Sequence, residues 1–195
     1  MFIVKPSFLS MSGLALILIL ITGCQSVSKT TDKVGSWLGV KPSVPEVNAK
    51  GIVDLSQTTL NQLEQFNTNM PKNQWVYMKN KTQDVYILQN KSDDQSILSF
   101  RFNCQLSTQK PTFYLYNAKG EQILSAYDDK LGQIQFLLDN KNYLNPFNLY
   151  SSQKLETFKK ELVTAKTIKI YHAGHLYRFE NQHAELLNKP VSCQE

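Results

Sequence analysis

The sequence predicts a mainly β domain with two or three helices, built as an antiparallel sandwich or bent sheet of about eight strands. Three patterns support this prediction. Six segments between 74 and 138 alternate apolar and polar residues and are separated by turns rich in Lys, Asn, Asp and Gly. Two further alternating segments flank Ala173-Gly174, and apolar residues recur at helical spacing over 151–165. Contiguous strands joined by short turns favour antiparallel order.

The individual elements follow from these patterns. In the third strand, Leu98, Phe100, Phe102 and Cys104 share one face, so Cys104 is expected to point into the core. Helices are predicted over 54–67, with Asp54 or Ser56 as N-cap, over 151–165 and over 182–188. The predicted strands are 75–79, 84–89, 96–104, 112–117, 122–127, 132–138, 167–172 and 175–180.

The first 24 residues have the layout of an export signal. Lys5 precedes a uniformly apolar run over 14–21, and small residues follow it. The run is too short for a transmembrane helix, which needs about 20 apolar residues. The motif Ile21-Thr22-Gly23-Cys24 resembles the lipobox of bacterial lipoproteins, which implies a signal peptide over 1–23 and acyl chains such as palmitate on Cys24.

The segment between the lipidated cysteine and the domain is predicted to be a flexible tether. Gln25 resembles the pattern of lipoproteins exported to the outer membrane, where this one would face the periplasm. Residues 24–52 are rich in Ser, Thr, Gly and Pro, which leaves 53–195 as one β-rich domain. Within the tether, the apolar segment from Trp37 to Val40 either rests on the bilayer or a partner, or packs as a local turn on the domain.

Charge and motifs exclude several functions. The net charge of +5 includes Lys5 of the signal peptide, and the modest charge of about +4 that remains favours anionic surfaces. The two arginines, Arg101 and Arg178, form no cluster, and nucleic-acid binding is not expected of an exported protein. The chain contains no Gly-x-Ser-x-Gly motif and no histidine in a recognisable catalytic context. We therefore expect a protein that is not an enzyme and that needs no cofactor.

Two cysteines remain after Cys24. In an oxidising compartment the simplest interpretation is a disulfide between Cys104 and Cys193. Metal ligation by the pair, or a nucleophilic role for one of them, is the alternative, although no Cys-x-x-Cys spacing supports it.

Two sets of side chains are weaker candidates for a site. In a hairpin around Ala173-Gly174, His172 and His175 are opposed, and a metal site with His183 as third ligand competes with the simpler interpretation of a polar pair at the hairpin rim. Tyr114 and Tyr116 share the face opposite the core residues of their strand, where they either form a partner-binding surface or are covered.

The region 96–193 resembles the exported VasI/TagO-type proteins associated with type VI secretion. The shared features are a strand that ends in Cys104, hydrophobic strands with a central helix, and the terminal Cys193 after a short helix. The resemblance implies that the cysteine pair is a structural disulfide.

Together these features predict a lipid-anchored, non-enzymatic scaffold or partner-binding module, accessory to a secretion system and bound to an unidentified envelope protein. The alternative is a binding module for a cell-wall fragment or a small apolar ligand. A scaffold should present an exposed aromatic patch, whereas a ligand module should contain a pocket of several hundred Å³.

The lipobox yields a direct test. Replacing Cys24 by Ser removes the acylated thiol, so we expect the folded domain to move from the membrane fraction to the soluble periplasm. Fractionation with an antibody against the domain measures this, and the unaltered chain is the control that stays in the membrane. A Cys24→Ser protein that remains in the membrane fraction would contradict the lipobox.

Overall fold

A computed structural model describes residues 43–106, 108–127, 133–147 and 152–193. Its mainly β architecture confirms the predicted fold class: the described residues form ten strands in two sheets, together with two α-helices and a short 3-10 helix. In chain order the elements are β1 (Ile52–Asp54), α1 (Leu60–Asn69), β2 (Trp75–Asn80), β3 (Val85–Lys91), β4 (Ile97–Arg101), β5 (Thr112–Tyr116), β6 (Gln122–Ser125), β7 (Gln135–Leu138), β8 (Lys141–Asn142), α2 (Ser152–Leu162), β9 (Thr167–His172), β10 (His175–Glu180) and the 3-10 helix Ala184–Asn188.

The first sheet is a meander. Its strand order is β1-β2-β3-β4-β5-β6, antiparallel throughout except that β1 runs parallel to β2. The second sheet has the antiparallel order β10-β9-β7-β8. Tight turns account for the meander: Gly120, at φ +79°, closes the β5–β6 hairpin as its position in Asn117-Ala118-Lys119-Gly120 predicts.

One hydrophobic core contains residues from both sheets and from α2. The inner face of the first sheet contributes Trp75, Phe100 and Phe113, and the second contributes Phe136 and Ile168. The helix adds two fully buried side chains at the spacing of four that an amphipathic helix requires, Phe158 and Leu162.

A second cluster lies on the opposite face of the first sheet. Phe66 and Met70, from α1 and the residue after it, pack against Val76 and Met78 of β2. Val44, Val47 and other half-buried residues pack against this cluster, so residues 43–52, which the sequence assigns to the tether, belong to the folded domain. Both faces of β2 are therefore covered.

The helix predicted over 54–67 begins six residues later. Asp54 pairs with Lys79 in the β1–β2 ladder, which prevents it from capping a helix. Thr59 is the N-cap instead: its N–H donates to Gln62 Oε1 at 2.9 Å and its hydroxyl accepts from the Gln62 N–H at 3.4 Å, a capping box.

The strand predicted over 96–104 ends at Arg101, so Cys104 does not continue its inward-facing row. Cys104 is half-buried and lies beside Val191. The N–H of Val191 donates to the carbonyl of Asn103 at 2.8 Å, and the carbonyl of Val191 accepts from the N–H of Gln105. A disulfide joins Cys104 to Cys193 with their Cα atoms 5.4 Å apart, in agreement with the predicted pairing.

Breaking this disulfide should destabilise the domain. The bond spans 89 positions of sequence, and closing a loop of that length restricts the unfolded chain by about 2–5 kcal/mol. We expect Cys104→Ser and Cys193→Ser each to lower the free energy of urea unfolding by that amount, and the double variant to lower it no further. Single variants as stable as the parent would contradict a structural role for the bond.

Candidate functional site

A groove of about 780 Å³ lies between α1 and the outer face of the first sheet. Its floor includes two cross-strand pairs, Met78 with Ile87 and Ile97 with Tyr116. Because neighbouring strands lie about 4.8 Å apart, a floor that crosses from β2 to β5 is about 14 Å wide. That width accommodates a short segment of polypeptide or an alkyl chain.

The helix forms one wall of the groove and leaves apolar surface open. Leu60 is the first residue of α1 and is 79% exposed, while Leu63, one turn later, is half-buried. Both side chains line the groove, above a floor that contains Ile87 and Ile97. The groove therefore has apolar side chains both in its floor and along its helical wall.

The buried lysine Lys91 contacts the C-terminal end of α1. Lys91 is 5% exposed, and its Nζ donates to the main-chain carbonyls of Asn67 (3.2 Å) and Thr68 (3.0 Å) in the last turn of α1. Burial lowers the pKa of Lys91, and the positive charge of Lys72 lowers it further. The helix terminus, whose carbonyls carry partial negative charge, thus partly compensates a desolvated cation.

Asp54, the last residue of β1, directly precedes Leu55, which lines the groove. Its carboxylate accepts hydrogen bonds from the Ser56 hydroxyl and from the Ser56 N–H (3.0 Å), and Lys81 Nζ lies 3.2 Å away. These bonds, those from Ser56 first, lower the pKa of Asp54 to about 2. The Ser56 hydroxyl also accepts from the N–H of Lys81, which ties the β1–α1 connection to the β2–β3 turn.

The two predicted tyrosines differ in exposure, although their ring centroids lie only 6.3 Å apart. Tyr114 is 8% exposed, with the Arg101 guanidinium 4.5 Å from the centre of its ring, so it is not part of an exposed aromatic patch. Tyr116 is half-buried and lines the groove beside the β5–β6 turn. The alternation of β5 places both on the outer face, but that face is largely covered at Tyr114.

The three histidines do not form one cluster. His172 lies opposite His175, as the hairpin pattern predicts, but His172 is buried, its Nε2 without a hydrogen-bond partner among the described residues, and His175 is exposed. His183 lies beyond the other end of the six-residue β10, where its Nδ1 is 3.1 Å from Glu185 Oε1. Within the described ranges no three His, Cys, Asp or Glu side chains could hold a metal ion.

Two predicted site residues, Cys24 and Trp37, lie outside the described residues. The groove itself was missed by the sequence analysis, although a signal for it exists. Met78 and Ile87 have the opposite parity to the core residues Tyr77 and Leu88 of their own strands. Apolar residues on both faces of neighbouring strands indicate that a second layer covers the sheet.

The lowered pKa of Asp54 predicts acid sensitivity at this end of the domain. A carboxylate with a folded-state pKa of about 2 and an ordinary value of 3.8 stabilises the fold above pH 3.8, and this stabilisation is lost as the pH falls toward 2. Asp54→Asn should therefore reduce stability at pH 5 and make little difference at pH 2. Urea unfolding at both pH values measures this, and Glu64→Gln, at an exposed position of α1, is the control. An equal effect of Asp54→Asn at both pH values would contradict the assignment.

Among the described residues, none of the helices has the length and apolar character that crossing a bilayer requires.

Comparisons with known proteins place the chain in a family. Neither the curated proteins nor the solved structures yielded a match. A family model described as YfjT matches residues 73–186, which include β2 to β10 and thus most of both sheets. Because this match covers more than half of the sequence, the chain belongs to the YfjT family.

Proposed function

We propose that this protein is a lipid-anchored envelope protein that acts by binding a partner protein rather than by catalysis, and that the groove under α1 is its binding surface. The observation that carries the proposal is the apolar groove itself, with Leu60 79% exposed at its edge. Leaving a large apolar side chain in water beside a recess has a free-energy cost that a bound partner would remove.

The anchoring part of the proposal depends on the first 24 residues. The lipobox resemblance puts acyl chains on Cys24, and Gln25 favours the outer membrane, on its periplasmic side. The Cys104–Cys193 disulfide fits such a compartment, because disulfides persist in the oxidising periplasm. The resemblance to VasI/TagO-type proteins suggests that the partner belongs to a secretion system.

The lining of the groove favours a protein partner. The groove is lined by apolar side chains, among them Met78 and Ile97, and by polar side chains such as Gln89, Gln95 and Lys119. Protein–protein interfaces likewise combine apolar contacts with hydrogen bonds. A short apolar segment of a partner could bury its side chains against the apolar residues while its backbone bonds to the polar ones.

A second candidate function uses the same groove. Small-molecule sites typically enclose about 300–1,000 Å³, and the volume of about 780 Å³ lies within that range. The groove therefore also fits a cell-wall fragment or a small apolar ligand. The chemical identity of what is recovered with the protein distinguishes the two.

The test compares two neighbouring substitutions in the first turn of α1. Leu60→Glu places a charge at the groove edge, and an acidic residue there is compatible with the helix dipole. Asn61→Glu adds the same charge at an exposed position that does not line the groove. The full chain and both variants are cross-linked in cells, extracted from membranes and purified, and bound proteins and small molecules are identified by mass spectrometry.

We expect a partner protein to be recovered with the full chain and with Asn61→Glu, and to be lost with Leu60→Glu. Equal recovery with all three chains would show that the groove is not the binding surface. Recovery of a small molecule in place of a protein, again dependent on Leu60, would favour the second function.

A further inference from the structure

We infer that the partner segment bound in the groove under α1 is apolar and carries an acidic residue, an Asp or Glu whose carboxylate pairs with Lys91. The inference rests on the proposed function, because it names the chemistry of the segment that this groove binds. The carboxylate would give the buried lysine the counter-ion that the described part of the domain does not supply.

Lys91 is a buried cation without a carboxylate partner among the described residues. It is 5% exposed and lines the groove, and its ammonium group donates to two main-chain carbonyls at the end of α1. An ammonium group has three donors, so one of them remains without an acceptor in the described part of the chain. Burial and the positive charge of Lys72 lower the pKa of Lys91, and no described carboxylate raises it. Buried charges are ordinarily paired, because neutral carbonyls recover only part of the free energy that desolvation costs.

The acidic residues that follow Lys91 in the sequence bond to other groups. The Asp93 carboxylate accepts a hydrogen bond from Asn73 Nδ2 at 2.7 Å. The Asp94 carboxylate accepts one from the N–H of Ser96 at 3.0 Å. Both acids therefore stabilise turns of the domain and leave the ammonium of Lys91 to an external anion.

The charges along the groove favour an anionic ligand. The described residues that line it include two lysines, Lys91 and Lys119, and neither Asp nor Glu. Asp54 precedes the lining residue Leu55, but its carboxylate lies 3.2 Å from Lys81 Nζ and is thus paired. A partner with a carboxylate would therefore meet complementary charge in the groove.

Amide side chains in the lining favour a peptide over an alkyl chain. Gln89 and Gln95 line the groove and are half-buried, and their side-chain amides have no hydrogen-bond partner among the described residues. A peptide backbone offers both N–H and C=O groups to such amides, whereas an alkyl chain would cover them and leave them unpaired.

The helix determines the spacing between the acidic and the apolar contact. Thr68, whose carbonyl accepts from Lys91, lies eight residues after Leu60, which corresponds to about 12 Å along α1. An extended peptide advances about 3.3 Å per residue and directs every second side chain to the same face. A segment that runs along α1 therefore reaches both contacts when its acidic residue is about four positions from an apolar one.

Peptide selection followed by a double-mutant cycle tests the inference. Short random peptides displayed on phage are selected on the full chain in lipid nanodiscs, and those that also bind Leu60→Glu are discarded as binding outside the groove. A selected peptide is then synthesised with its acidic residue and as a neutral analogue with the corresponding amide. Calorimetry measures the binding of both peptides to the full chain, to Lys91→Met and to Lys119→Met, the control that removes the other groove lysine.

We expect the selected peptides to carry Asp or Glu about four positions from an apolar residue. The neutral analogue should bind the full chain and Lys119→Met about tenfold more weakly than the acidic peptide. Lys91→Met should bind both peptides equally, because it lacks the charge that distinguishes them. Its affinity for the neutral analogue should match that of the full chain, which verifies that the groove is intact.

The outcomes separate this inference from the proposed function. Groove-dependent peptides without an enriched acidic residue would overturn the inference and leave the proposed function standing, and so would a preference for the acidic peptide that persists in Lys91→Met. Selection that yields no groove-dependent peptide would overturn both. The comparison of the two peptides on the full chain needs no change at Lys91, so equal binding there would overturn the inference even if Lys91→Met failed to fold.

Discussion

The side-chain amide of Asn181 connects the first sheet to α2 through three hydrogen bonds. Its Oδ1 accepts from Trp75 Nε1 at 2.6 Å, and its Nδ2 donates to the carbonyls of Leu162 (2.7 Å) and Ala165 (2.8 Å), at and just beyond the end of α2. The residue is 6% exposed, and an unpaired polar group at such a site would cost about 1–3 kcal/mol. Asn181 directly follows β10, so this one amide positions the second sheet and α2 against the start of β2.

The strand β2 also forms part of the floor of the groove. With Trp75 and Tyr77 held in the core, the alternation of β2 directs Val76 and Met78 to the outer face, where both are buried and Met78 also lines the groove. The floor therefore belongs to the core-forming part of the molecule. The helix α1, which forms the wall of the groove, is not part of this core. Hydrogen bonds from Lys91 hold its last turn, and the packing of its apolar side chains on the sheet holds the rest.

The fold could be predicted from sequence wherever one local pattern was sufficient. Strict alternation predicts strands such as β9 and β10, whose bounds agree with the structure. The three-residue β1 was not predicted, because a short parallel strand exists only through its long-range pairing with β2. That pairing also decides between Asp54 and Thr59 as helix N-cap. The opposite parity of Met78 and Ile87 indicates that the outer face is covered, but the groove itself depends on where α1 lies on the sheet, which no local spacing encodes.

The position of the disulfide determines the end from which the domain opens. Chain termini are ordinarily the first parts of a fold to fray, at little free-energy cost. Cys193, the last described residue, is bonded covalently to Cys104 just after β4, so the segment that leads to it cannot separate from the first sheet. Ser43 is held at α1 by one side-chain hydrogen bond and the packing of its neighbours. Within the described residues, we therefore expect hydrogen exchange and proteolytic cleavage to begin in the segment that starts at Ser43, while the two sheets remain closed.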